Sequence, residues 1–166
     1  MNDSAQPTPA PAGNFVWHGP DGFTIDTDRE RLNFEAIYEF VSQSYWASGV
    51  SRERLARAIA YSIPFGAYEG ERLVGFARVV TDRASFGYLA DVFVVPNDRG
   101  RGISKALMTA VQRHPELQDL RRWLLGTRDA HGLYAQFGFA PLASPSIFME
   151  IWEPSVYERL AREGRA

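Results

Sequence analysis

Apolar and polar residues alternate at Phe23-Thr24-Ile25-Asp26, the two-residue period of a short strand. Leu32, Ala36, Ile37 and Phe40, with Val41 beside it, recur at helical spacing and predict a helix over about 32–42. A second helix is predicted from Ser51, an N-cap type, with Glu53 in the first turn where negative charge suits the helix dipole. Its capping box is incomplete, because Arg54 stands where Glu or Gln would. Leu55, Ala58 and Ile59 form its apolar face, and Pro64 interrupts next.

Runs at 65–68 and 73–80 flank Glu69-Gly70-Glu71-Arg72 and predict a hairpin. The β-rich run 88–95 ends at Pro96, and apolar positions 103, 106, 107, 110 and 111 predict a helix over 103–111. A strand at 121–125, a short helix at 129–137 and a last strand at 147–152 complete the pattern. The predicted order is β-α-α-β-β-β-α-β-α-β. Three consecutive strands with short connections imply an antiparallel section, and strand-helix-strand from 88 to 125 implies a right-handed parallel crossover. The fold class is therefore α/β (α+β), a mixed, mostly antiparallel sheet flanked by helices.

The chain has 166 residues, a length that favours one domain with a core able to stand without staples. Residues 1–15 are small and polar with several Pro, and predict a disordered N-terminal tail. The domain is expected over 16–153, its first clear element near Gly22. Residues 154–166 form a C-terminal tail in which Pro154, Val156 and Leu160 allow a short helix. No cysteine is present, which excludes disulfides, thiolate metal sites and a thiol nucleophile. The formal net charge of -2 supplies no basic field for nucleic acid or an anionic membrane. The first residues carry Asp3 and no apolar stretch, and no run approaches the ~18 apolar residues of a membrane span, so a cytoplasmic location is expected.

Chemistry concentrates in 91–107, where a strand leads through Val95-Pro96-Asn97-Asp98-Arg99-Gly100-Arg101-Gly102 into Ile103-Ser104-Lys105. Glycines let the backbone approach a ligand, and free amides at a helix start form an anion site. Arg99, Arg101 and Lys105, the last being the only Lys beside seventeen Arg, add cations within seven residues. The segment reads as a phosphate pocket, or else as a Gly-rich turn capping a helix. It is neither a P-loop nor a dinucleotide fingerprint, since Lys105 sits where the third Gly of the latter belongs.

Arg99-Gly100-Arg101-Gly102-Ile103-Ser104 resembles the Arg/Gln-x-x-Gly-x-Gly/Ala signature of the GNAT N-acetyltransferase superfamily, departing at Ser104. Leu133-Tyr134-Ala135-Gln136-Phe137-Gly138-Phe139 resembles the family's Leu-Tyr-x-x-x-Gly-Phe. Ala130 fits the usual Ala upstream of that Tyr, while Thr127 replaces a frequent Asn. The resemblance implies the GNAT acyl-CoA N-acyltransferase fold and acetyl-CoA as co-substrate, with no metal. It places the coenzyme A pyrophosphate on Arg99, Gly100, Arg101, Gly102, Ile103, Ser104 and Lys105, and the pantetheine arm on Phe93, Val94 and Val95.

It also implies Tyr134 as general acid to the leaving thiolate, in contact with the cofactor; a phenol titrating near ~10 is a feasible donor to a thiolate whose thiol titrates near ~8.5. On a regular strand Asp91 shares a face with Phe93; it reads equally as general base or as a carboxylate bonded to its neighbours. His131 is a lesser candidate, and His18 and His114 have no partners in a readable motif. The acceptor, a small-molecule or peptide amine, is expected near Tyr45, Trp46 and Tyr88, or those rings belong to the core. Without cysteine, the acetyl group should pass directly to the amine in a ternary complex. A non-catalytic acyl-CoA-binding or regulatory domain on the same fold is the competing reading. No nucleic-acid or membrane partner is expected, and a homodimer is common in such families.

Overall fold

The computed structural model describes residues 13–19 and 22–165. Residues 1–12, most of the predicted tail, lie outside them. One six-stranded sheet runs in chain order through β1 (Val16–His18), β2 (Thr24–Asp26), β3 (Ile63–Glu69), β4 (Arg72–Thr81), β5 (Phe86–Val94) and β6 (Arg122–Leu125). Each neighbouring pair is antiparallel except β5–β6, where the crossover through α3 (Ile103–Arg113) makes a parallel pair. The remaining helices are α1 (Phe34–Val41), α2 (Arg52–Ala60), α4 (His131–Ala135) and α5 (Val156–Arg162). No described helix is long and apolar enough to cross a membrane.

The apolar stripes decide the layers. On one face, Ile103, Leu107, Met108 and Val111 of α3 are buried against Ile25, Phe65, Val74, Val79 and Leu89. On the other, Ile37 and Val41 of α1 and Leu55 and Ile59 of α2 cover Tyr68, Phe76 and Phe93. Caps set the helix starts: Asn33 accepts from Ala36 N at 3.1 Å, and Ser51 accepts from Arg54 N at 3.4 Å. The glycine at 75 is needed for close approach, since a Cβ there would sit 3.0 Å from the Phe93 carbonyl and 3.1 Å from Ile103. That absence lets the start of α3 settle onto β4.

Four expectations change. Val16–His18 forms a strand, held by pairing with Thr24–Asp26, and Phe15 N donates to Thr27 Oγ1 at 2.8 Å; three residues are too few for a legible period. Pro64 lies within β3 rather than before it, ahead of the stretch that β2 pairs, where a missing N–H costs least. Residues 147–152 form no strand: Pro145–Ile147 is a 3-10 turn, and the chain beyond it pairs with no described strand. The C-terminal helix exists, but Ser155 caps it and Pro154 stands outside; its Leu160 is buried, and Tyr157 packs on the α1–α2 cluster.

Candidate active site

Two features of β5 create the site. The first is a bulge. Phe76 pairs Phe93 and Arg78 pairs Ala90, so Asp91 and Val92 together oppose Ala77. Asp91 takes φ +51°, a left-handed conformation that costs a non-glycine residue about 1–3 kcal/mol. Regular alternation would put Leu89, Asp91 and Phe93 on one face. The bulge instead leaves Leu89 under α3 and sends Phe93 under α1 and α2, with Asp91 reaching groups on that second side.

The second feature is divergence. β6 pairs β5 only from Phe86↔Arg122 to Leu89↔Leu125, so among the described residues 90–94 has a free edge beyond that point. This edge leads directly into the Gly-rich loop. Gly100 and Gly102 have φ of 78° and 83°, which residues with a Cβ rarely adopt. Gly102 caps α3 without a side chain, no acid lies in the first turn, and the first intrahelical bond is Ala106 N to Gly102 O. The amides of Ile103, Ser104 and Lys105 are thus left without intrahelical acceptors at the positive end of an 11-residue helix. Free amides at the positive end of a helix are a geometry that can take an anion.

The cations of this loop divide. Lys105 is exposed, and Arg99 lies along the strand end with Nε 3.4 Å from the Val94 carbonyl. Arg101 turns away. It bonds Asp98 at 2.6 Å and Glu69, and Arg72 holds the same buried Asp98 through two nitrogens at 2.6 and 3.0 Å. Those bonds, Arg72's first, hold the Asp98 carboxyl below the usual carboxylate range. The Ile103 and Phe93 side chains are core; Phe93 stacks on Phe40 with centroids 4.1 Å apart. From these two residues only backbone atoms can meet a ligand.

Beyond the divergence lies a cleft of about 530 Å³. It brings together Tyr45, Trp46, Tyr88, Asp91 and Tyr134 from three separate stretches of chain. Tyr134, on the one-turn helix α4, is buried, with its ring edge-on to Phe139 at 6.0 Å. Burial, with lesser help from Tyr45 and Asp129, pushes its phenol up to about 12. Asp91 is clamped: Oδ2 accepts from Arg78 Nε at 2.5 Å and Oδ1 from Trp46 Nε1 at 3.0 Å. Tyr45 spans the mouth, its hydroxyl accepting from Arg128 N at 3.1 Å while the Arg128 guanidinium covers its ring at 3.9 Å. One face of the Tyr45 ring, a residue expected beside the acceptor amine, is therefore already covered by a cation of the chain itself. His131 is exposed and opens onto a different groove, beside α4 and β6.

Sequence reasoning missed Arg54, Arg57, Arg78 and Asp129 in the cleft wall. Arg78 left a signal, an ionic residue inside an otherwise apolar strand, which must find a partner when buried. Arg54 left none; its Nε is buried without a partner among the described residues.

Residues 29–139 match the sequence model of the acetyltransferase (GNAT) family. A Gibberella zeae protein designated an acetyltransferase is 30% identical over 138 residues, 69% of this chain and 76% of that one. A crystal structure from Xanthomonas campestris pv. campestris, assigned to acetyltransferases of the GNAT family, is 48% identical with TM-score 0.80, covering 81% of this chain and 96% of that chain. A Clostridium acetobutylicum structure solved with acetyl-CoA is 14% identical, TM-score 0.57, over 78% of this chain and 94% of that one; this likeness is one of fold.

Proposed function

This chain belongs to the acetyltransferase (GNAT) family and is an acyltransferase, and we propose that it moves an acetyl group from acetyl-CoA directly to the amine of a small acceptor bound in the Tyr45–Tyr134 cleft. The observation that carries this reading is the parting of β5 from β6 after Leu89↔Leu125, with the uncapped start of α3 at one end and Tyr134 at the other. A pantetheine arm has amides that can pair with the free edge at 90–94 as an added strand would. Its pyrophosphate then meets the amides of Ile103, Ser104 and Lys105, with Lys105 and Arg99 adding charge. The thioester supplies the acetyl group at the gap.

Tyr134 stays a phenol at neutral pH, so it can donate to the departing sulfur. Complete transfer from a phenol at about 12 to a thiolate near ~8.5 is uphill by roughly 5 kcal/mol, so its role is a strengthening hydrogen bond rather than a finished proton transfer. Asp91, committed to Arg78 and Trp46, orients the acceptor's amine rather than serving as a free base: the ammonium gives up one proton to solvent before its lone pair attacks, and the second, lost as the C–S bond breaks, ends by way of solvent on the departing thiolate. The cationic surplus of Arg54, Arg57 and Arg78 over Asp91 and Asp129 favours an amine that also carries a carboxylate or similar anion.

A thiol-release assay tests the reading. Amino carboxylates should turn over with intersecting double-reciprocal plots, while their methyl esters and polyamines should be poor acceptors. Parallel plots would exclude the ternary complex. Turnover of polyamines in preference to amino carboxylates would overturn the acceptor assignment, and no thiol release with any amine would reject transfer itself.

A further inference from the structure

Arg54, Arg57 and Arg78 line the Tyr45–Tyr134 cleft in different circumstances. Arg78 is bonded to Asp91, and Arg57 is exposed to water. Arg54 is neither paired nor fully solvated. It is half-buried, its Nε is sealed from solvent without a hydrogen-bond partner, and it makes no ion pair among the described residues. Arg52, two residues before it, pairs with Glu35. A desolvated, unbonded N–H on a charged group is costly to hold and calls for an acceptor oxygen. The period of α2 turns it to the cleft rather than into the core: Arg54, Arg57, Ala58 and Tyr61 recur at three- and four-residue spacing and all line the cavity, while Ile59 is buried. The cleft's acids stand on another wall. Asp91 lies on the β5 bulge and Asp129 just ahead of α4, near Tyr134, whereas α2 covers Tyr68 of β3, two strands away from β5.

We propose that Arg54 is the residue that reads the acceptor's carboxylate, so that an amphoteric acceptor lies with its anion on α2 and its amine toward Asp91 and Tyr134. The inference rests on the acetyl transfer to an amino carboxylate proposed above and names the group that enforces it. A carboxylate can accept from Nε and a terminal N–H of one guanidinium together, which bonds the orphaned donor and balances its charge in one step. The same contact fixes direction. An amino carboxylate bound the other way round would set its ammonium against Arg54 and its carboxylate against Asp91, a like-charge meeting at each end. A diamine brings an ammonium to Arg54 in either direction and is repelled. A methyl ester fills the same space but leaves the charge unbalanced. Acceptors are thus ranked amino carboxylate, then ester, then diamine, by attraction to one side chain and repulsion from it.

The test pairs a change in the protein with a change in the acceptor. Thiol release is measured with the proteinogenic amino acids, and the best of them, its methyl ester and putrescine are carried into the variants. Arg54→Met keeps a long apolar stem and removes the charge. It should raise KM for the amino acid about 10–100-fold, the loss of one charge-assisted contact, and collapse the preference for acid over ester. Its melting temperature should be no lower than wild type, because an unbonded buried N–H has gone. Arg54→Lys, a point charge without the planar fork, should keep part of the preference, and Arg54→Glu should shift it toward putrescine. An acid-over-ester ratio unchanged in Arg54→Met would overturn the inference while acetyl transfer to amino carboxylates stands. Equal losses for acid and ester in both Arg54→Met and Arg54→Lys would mark a structural role and overturn it as well. Turnover of putrescine but of no amino acid by the wild-type protein would instead reject the acceptor reading, and this inference with it.

Discussion

The indole of Trp46, in the loop between α1 and α2, donates to Asp91 at the β5 bulge over 3.0 Å, opposite the Arg78 contact at 2.5 Å. One carboxylate thus fastens the α1–α2 loop to the sheet and neutralises a buried arginine. Removing the two partners should have unequal costs. Trp46→Phe gives up one hydrogen bond to a charged group, about 1.5–3 kcal/mol, and loosens the loop. Asp91→Asn leaves Arg78 buried and uncompensated, and is expected to cost about 3–5 kcal/mol. Denaturant unfolding with paired kinetics checks this: Trp46→Phe should raise KM for the amine with kcat little changed. Equal stability losses for the two variants would contradict the clamp.

Arg101 lies in the Gly-rich loop, paired with Asp98 and Glu69, while Lys105 stands exposed in the first turn of α3. Lys105→Gln should weaken coenzyme A binding by about 5–20-fold, the loss of one charge-assisted phosphate contact, and leave unfolding unchanged. Arg101→Gln should do the reverse, because its guanidinium is spent on Asp98 and Glu69. Titration calorimetry and thermal melts together decide it. Weaker cofactor binding in Arg101→Gln at unchanged stability would return Arg101 to the phosphate site.

How much of this could be read without coordinates follows from the range of each interaction. Ser51 as a cap, the 103–111 stripe and the Gly-rich loop are local patterns, and all appear in the fold. Asp91 shows the limit. Its face was inferred from regular alternation, but a bulge set by pairing with β4 governs it, and neither Arg78 nor Trp46 is near it in sequence. The segment 147–152 shows another: its composition is that of a strand, but a strand needs a neighbour, and no described strand pairs with it.

Tyr134→Phe removes one hydroxyl from a buried ring that keeps its contact with Phe139. If the phenol stabilises the leaving sulfur, kcat should fall about 10²-fold, with KM for acetyl-CoA and melting temperature near wild type. Rapid-quench measurement of the chemical step separates this from slow product release. An unchanged chemical step would remove Tyr134 from the mechanism.

His114 makes a pH prediction with a definite sign. It is buried edge-on to Phe15 and Phe65, at centroid distances of 5.1 and 5.5 Å, and its Nδ1 accepts from Glu116 N at 3.2 Å. Burial, the largest influence, pushes its pKa down against an opposing pull from Glu116, with Arg83 adding the least to the lowering. A histidine depressed in the folded state favours folding above its unfolded pKa, about 6.5. That contribution is lost as pH falls through the folded value, since the unfolded chain takes up the proton first. The melting temperature should therefore decline from about pH 6.5 downward, before the paired carboxylates titrate. In His114→Gln, neutral throughout, the decline that sets in below about pH 6.5 should flatten, whatever the absolute stability. A wild-type slope retained in that variant would place the acid sensitivity elsewhere.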